Sequence, residues 1–142
     1  MKTLALVPIF AALLNTATQV SASPMRFNAL CSASGAFDRC SVEFEKSQMI
    51  FVSIDGLHEM NFCTKKTISY RSNPASPYQK ISGAEKTIVN TVRRERGIDH
   101  DFLIKYKSNN SGDRQTRIIV RFKNQKAAIK FAEKLSQSTE SC

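Results

Sequence analysis

The sequence predicts an α+β domain in which an antiparallel sheet is followed by one C-terminal amphipathic helix. The first observation is that apolar and polar residues alternate in several short segments, which is typical of strands with one buried face. The second is a helix predicted from Asn124, its N-cap, to about Ser136, with an apolar stripe that includes Ala128, Phe131 and Leu135. Such a helix must bury its stripe, and the sheet supplies the surface.

The first 22 residues have the three parts of a secretory signal peptide. Lys2 is followed by an apolar run at residues 4–14, and Val20 and Ala22 fit the small-residue rule for cleavage after Ala22. The run is shorter than the ~20 residues that a membrane span requires. We therefore predict a signal peptide over residues 1–22 and a secreted or periplasmic mature chain without a transmembrane segment. A retained anchor and a buried N-terminal helix are the alternatives.

All four cysteines follow the predicted cleavage site, and an oxidising compartment favours disulfides. Four cysteines allow three pairings, which sequence alone does not distinguish. We predict Cys31–Cys40, which closes a short loop, and Cys63–Cys142, which ties the C-terminus to the body of the domain. The competing interpretation is a zinc site, but the chain has no CxxC pair and no histidine adjacent to a cysteine.

The elements before the helix follow from local patterns. Residues 23–39 are rich in Ser, Ala and Asn and are expected to be irregular. Asp55-Gly56 is a turn signal, residues 57–66 match no single pattern, and residues 72–80, with two prolines, are a predicted loop. Predicted strands lie at 41–45, 49–54, 67–71, 102–106 and 118–122, and the last two form a hairpin through a loop at 109–113.

Residues 81–97 fit two interpretations. Ser82 and Glu85 match a helix capping box, Ile88 and Val92 share a helix face, and Gly97 is suited to ending a helix. The same segment is dense in β-branched residues, which favour a strand. We expect a helix and keep the strand as the alternative.

This order of elements resembles the pleckstrin-homology-like (PH-like) fold, in particular its small bacterial members. The resemblance implies a curved, seven-strand, two-sheet barrel closed at one end by the C-terminal helix, and a scaffold that mostly binds partners. It places a single PH-like domain at residues 40–142. The segments that carry it are 40–45, 68–71, 102–106, 118–122 and 127–131.

Little in the sequence points to catalysis. The two histidines are His58, next to a glutamate, and His100, between Asp99 and Asp101. His100 could act as a general base, but adjacent residues point in different directions, so a polar turn before a strand is the simpler interpretation. We predict no catalytic residue, no metal site and no cofactor.

The basic residues are the one collective signal. The chain has 21 Lys and Arg against 12 Asp and Glu, a net charge of +9 that favours anionic partners. The candidate basic-surface residues are Arg93, Arg94, Arg96, Lys126, Lys130 and Lys134, and further positive charge comes from Lys65, Lys66, Arg114, Arg117 and Arg121. Nucleic acid is a less favoured partner because the aromatic residues lie on apolar faces rather than between the cations. The alternative is a charge that serves solubility alone.

These observations predict an exported, non-enzymatic binding domain whose ligand is an unknown protein or polyanionic partner. One alternative is a small secreted hydrolase, nuclease-like, that uses His100 or His58. Another is a secreted inhibitor or effector stabilised by disulfides.

Overall fold

The computed structural model describes residues 25–46, 48–53, 56–81, 86–107 and 114–140. The predicted signal peptide and its cleavage site lie outside the described residues. The elements in order are β1 (Met25–Ser32), β2 (Asp38–Phe44), β3 (Gln48–Ser53), β4 (Gly56–Asn61), β5 (Lys66–Arg71), β6 (Gln79–Ile81), α1 (Lys86–Arg94), β7 (His100–Lys107), β8 (Gln115–Phe122) and α2 (Gln125–Glu140).

The strands form one sheet in the order β4-β3-β2-β1-β8-β7-β5-β6, and every pairing in it is antiparallel. The predicted α+β class is therefore confirmed: an antiparallel sheet is followed by a C-terminal helix. Three strands coincide with predicted ones: β2, β3 and β5 match the strands predicted at 41–45, 49–54 and 67–71. Their ends differ from the predicted ends by at most three residues. β4 covers the first part of the segment 57–66 that matched no single pattern and ends at Asn61, and β6 lies at the end of the predicted loop 72–80. Asp55 and the predicted hairpin loop 109–113 lie outside the described residues.

The connection from β4 to β5 shows that this sheet is curled. β4 is the first strand of the order and β5 the seventh, so in a flat sheet they would be separated by about 29 Å. The chain from Asn61 to Lys66 reaches at most about 18 Å. The sheet must therefore bend so that β4 and β5 come close to each other. Within the short link between them, the Lys66 ammonium donates a hydrogen bond to the Phe62 carbonyl.

β1 corrects the expectation that residues 23–39 are irregular. Met25, Phe27, Ala29 and Cys31 alternate with polar residues or Leu30, and Phe27 and Cys31 are buried. β1 pairs with β2 along most of its length and with β8 through its last three residues. It therefore lies in the middle of the sheet, joining its two halves, although its polar residues suggested a loop.

Segment 81–97 contains a helix, α1, which buries Ile88 and Val92. The capping-box residues Ser82 and Glu85 lie outside the described residues. Gly97 does not end the helix, which stops at Arg94, and it is not among the described glycines with a positive φ. A Cβ at position 97 would lie 1.7 Å from the carbonyl oxygen of Ser72, so glycine is required here for close packing of two backbones.

α2 fills the inside of the curled sheet. The Asn124 side-chain oxygen accepts a hydrogen bond of 2.8 Å from the Lys126 amide, which confirms the predicted N-cap. The helix continues to Glu140, four residues beyond the predicted end. Phe131 is fully buried, and ring contacts with centroid distances of 4.9 to 5.6 Å join it to Phe27, Phe44, Phe102 and Phe122.

The Cys31–Cys40 disulfide is confirmed and links the β1–β2 hairpin on its buried face. Cys63 is also disulfide-bonded. Its predicted partner, Cys142, lies outside the described residues. None of the described cysteines is a free thiol, so the zinc interpretation finds no support at these positions.

Candidate functional site

The first candidate site lies where the end of α1 meets the start of α2. Arg93 and Arg94 occupy the last turn of α1, and Arg96 follows it; all three side chains are exposed. Basic residues at a helix C-terminus interact favourably with the helix dipole. Arg93 and Arg94 therefore stabilise α1 and also add positive charge to the surface.

The lysines of α2 differ in exposure. Lys126 and Lys130 are exposed, whereas Lys134 is half-buried. They share one face because α2 is helical and they are spaced four residues apart. The opposite face of the helix carries the buried stripe, so the lysines point away from the core.

Contacts between the two helices connect the end of α1 to α2. The Gln125 side-chain amide donates to the backbone carbonyls of Val92, Arg93 and Glu95 at 3.2 to 3.4 Å. Farther along α2, Arg93 forms an exposed ion pair with Glu133 at 3.2 Å. The exposed cations of these two connected segments, Arg94, Arg96, Lys126 and Lys130, are called the helix surface.

A second charged cluster lies on the outer face of the sheet. Arg71 of β5, Asp101 of β7 and Arg121 of β8 are directly opposite one another on neighbouring strands. Asp101 accepts hydrogen bonds from Arg71 Nε at 2.9 Å and from Arg121 Nε and Nη2 at 2.7 and 3.0 Å. We call these three residues the arginine row.

Two aromatic rings cover the arginine row. The guanidinium carbon of Arg71 lies 4.2 Å from the centre of the Tyr78 ring, and that of Arg121 lies 3.8 Å from the centre of the Phe37 ring. The Asp101 side chain is 0% exposed, although it projects from the outer face. A buried carboxylate is stable only when it is paired and hydrogen-bonded, and the two arginines satisfy it here. The hydrogen bond to Asp101 raises the pKa of Arg121 above its ordinary value.

Asp99 and Asp101 do not form hydrogen bonds to His100. His100 is the first residue of β7 rather than part of a turn, and its side chain faces the core, where Nδ1 lies 2.6 Å from the Tyr70 hydroxyl. Burial lowers the pKa of His100, and the charges of Asp99 and Asp101 oppose that shift. With 1% exposure, the ring is not accessible to a substrate.

His58 lines a polar cleft of about 480 Å³ that also includes Glu59, Tyr106, Lys107 and Thr116. β4 forms one wall, and β7 and β8 form the other. His58 and Glu59 are adjacent on β4, so their side chains leave opposite faces of the strand. Within the described ranges, no three His, Cys, Asp or Glu side chains are arranged to hold a metal ion.

The members of the helix surface can be identified from the sequence, as can Asp101 and Arg121 of the arginine row, whereas Arg71 and the contacts among the three cannot. Arg121 was included in the basic residues, whereas Arg71 and Tyr78 were assigned to a strand and a loop without a role. The available signal was an isolated acid, Asp101, in a strand that is otherwise apolar or basic. Such an acid requires partners if it is buried.

No helix in the described part of the chain is long and apolar enough to cross a membrane. In comparisons with protein-family profiles, curated proteins and solved structures, none matches this chain.

Proposed function

We propose that this chain is an exported, non-enzymatic binding domain that recognises an anionic partner through the helix surface. The observation that carries the proposal is the Gln125 amide on carbonyls at the end of α1, because it joins the segment that carries Arg94 and Arg96 to the start of the helix that carries Lys126 and Lys130. Clustered cations create a local positive potential that scattered cations do not.

The PH-like resemblance belongs to this proposal. It is supported by a curled antiparallel sheet and by a C-terminal helix whose stripe packs inside that sheet. The molecule differs from the implied seven-strand pattern by having eight strands in its described part and the additional helix α1. A binding scaffold is also consistent with the burial of His100, which removes the main catalytic candidate of the hydrolase alternative.

Export is the second part of the proposal. The Cys31–Cys40 disulfide is compatible with an oxidising compartment. The mature protein is expected to begin at Ser23, and N-terminal sequencing of the secreted product tests this directly. A product that retains Met1 would contradict export by signal-peptide cleavage.

Elution of the mature protein from immobilised heparin over a salt gradient tests the helix surface. The variant Arg94→Gln with Arg96→Gln should elute at lower salt. The slope of log affinity against log salt should fall by about two, because two fewer counterions are released. The matched control is Lys46→Gln with Lys65→Gln, which removes two exposed cations from turns outside the helices. Equal behaviour of the two variants would show that the charge acts without a defined surface.

A further inference from the structure

The outer face of the sheet carries a second cationic centre, separate from the helix surface. Arg117 lies four residues before Arg121 on β8, so both side chains leave the same face of the sheet. Lys105 is directly opposite Arg117 on β7. With Arg71, these cations surround the two carboxylates of Asp99 and Asp101. The register places Arg39, Lys80 and Lys107 on the same face, so its positive charges outnumber those carboxylates.

Several hydrogen-bond donors on this face have no partner among the described residues. Arg71 uses Nε for Asp101, which leaves its terminal Nη groups free of protein acceptors. Arg117 is exposed and forms no hydrogen bond or ion pair within the described part of the chain. A guanidinium has five N–H donors in a planar fork that matches the oxygens of phosphate-like anions.

The Tyr78 hydroxyl is the most unusual of these groups. Its oxygen is buried without a hydrogen-bond partner in the described structure. Burial raises the pKa of Tyr78, and the positive charges of Arg71, Arg117 and Arg121 act in the opposite direction. The hydroxyl therefore lies within the field of all three arginines. A buried polar group without a partner is destabilising, and a ligand oxygen that accepts its hydrogen bond would remove that cost.

We propose that this face is a binding site for a phosphate or sulfate group, a tetrahedral dianion held by Arg71, Arg117 and the Tyr78 hydroxyl. Asp101 is a positioning residue: it fixes the guanidiniums of Arg71 and Arg121 and prevents them from turning into solvent. Arg117 is the exposed member of the site. The net positive charge of the face favours a dianion, and the arginine forks match its geometry.

The test uses the full mature protein at low ionic strength, titrated with sodium phosphate, with sodium sulfate and with sodium chloride at matched ionic strength. We expect saturable binding of phosphate or sulfate and none of chloride, measured by calorimetry. Comparing the affinities from the phosphate and sulfate titrations shows which of the two oxyanions the site prefers. Chloride binding equal to that of both oxyanions would overturn the proposal.

Two variants test the residues. Arg117→Gln removes an exposed cation, and Tyr78→Phe removes the hydroxyl while keeping the ring over Arg71. Each should weaken oxyanion binding by about tenfold, since a hydrogen bond to a charged group is involved. Lys46→Gln, which removes an exposed cation between β2 and β3 and outside both cationic surfaces, is the charge-matched control and should leave binding unchanged. Unchanged affinity in both test variants, with melting temperatures equal to the unmodified protein, would exclude the site.

Discussion

The Tyr70 hydroxyl lies 2.6 Å from His100 Nδ1, and both side chains are at most 1% exposed. The two rings come from neighbouring strands, β5 and β7, and satisfy each other's polar groups in an otherwise apolar core. When the imidazole is neutral, Nδ1 accepts a hydrogen bond from the Tyr70 hydroxyl. Burial raises the pKa of Tyr70 and lowers that of His100, so both groups are held neutral near pH 7.

The lowered pKa of His100 predicts a loss of stability in mild acid. The unfolded chain binds a proton at His100 near pH 6.5, whereas the folded chain resists protonation to lower pH. The free energy of unfolding is therefore highest above pH 6.5 and falls as the pH decreases through the folded pKa. Chemical denaturation at pH 7.5 and pH 5.5 measures this difference.

His58 provides the control, because it is the only other histidine. His100→Gln should reduce the loss of stability between pH 7.5 and pH 5.5, whatever its effect on stability at pH 7.5. His58→Gln should retain the loss. If both variants lose stability as the unmodified protein does, groups other than His100 cause the acid sensitivity.

Asp101→Asn should destabilise the fold strongly. The substitution leaves the guanidiniums of Arg71 and Arg121 beside a neutral amide, and breaking a buried ion pair typically costs about 3–5 kcal/mol. Because both arginines retain some exposure, we expect the lower end of that range. Glu43→Gln is the comparison: its partner Arg26 is 65% exposed, and such a pair contributes about 1 kcal/mol or less. If Asp101→Asn and Glu43→Gln lower the free energy of unfolding equally, the ion pairs of the arginine row contribute no more to stability than an exposed ion pair does.

Phe131→Ala tests the docking of α2. The ring is fully buried among four other phenylalanines, so its removal should cost roughly 3–5 kcal/mol in free energy of unfolding. Lys130→Ala, the preceding and exposed residue, should change stability by less than about 0.5 kcal/mol. Small effects from both substitutions would show that α2 is not docked in solution.

Gly97→Ala should destabilise the protein through backbone contact. A Cβ at position 97 clashes with the Ser72 carbonyl. Backbone atoms cannot relieve the clash by changing rotamer, as a side chain can. We expect a cost of roughly 1–3 kcal/mol, the usual range for overpacking. Ile98→Ala is the neighbouring control, since Ile98 is 76% exposed. A thermal melt in which Gly97→Ala matches Ile98→Ala would contradict the close approach.

Removing the Cys31–Cys40 disulfide by double substitution with alanine should cost about 2–3 kcal/mol, the value for a short closed loop. The bond joins β1 to β2 on the buried face, so its loss frees the strand in the middle of the sheet. Mass spectrometry of the unreduced protein after alkylation should show no modified thiol. A labelled Cys31 or Cys40 would contradict the bond.

The elements whose apolar residues recur with a regular period could be predicted from the sequence. The α2 stripe and the alternating residues of β2, β7 and β8 identified their elements, because a helix or strand needs only neighbours in sequence to show its period. β1 has the same signal in Met25, Phe27, Ala29 and Cys31, but the Ser, Ala and Asn residues of this segment favour a loop and oppose that signal.

The site depends on contacts that local patterns do not contain. Asp101 is separated by 30 residues from Arg71 and by 20 from Arg121, and only the sheet register brings them together. α1 was ambiguous because β-branched residues favour strands, whereas its packing against α2 favours a helix. In both cases tertiary contacts determine the outcome, and those of Asp101 follow from the order of strands in the sheet.

That order has a consequence for how the chain assembles in time. β1 to β4 are consecutive antiparallel neighbours, so each can pair with the strand before it as soon as it is made. Within the sheet, the other half pairs with them through β8, which joins the final three residues of β1. A chain truncated before Gln115 lacks both this junction and α2, whose Phe131 contacts Phe27 and Phe44. We therefore expect such a chain to leave the inner faces of its two partial sheets open to water and not to form the native core.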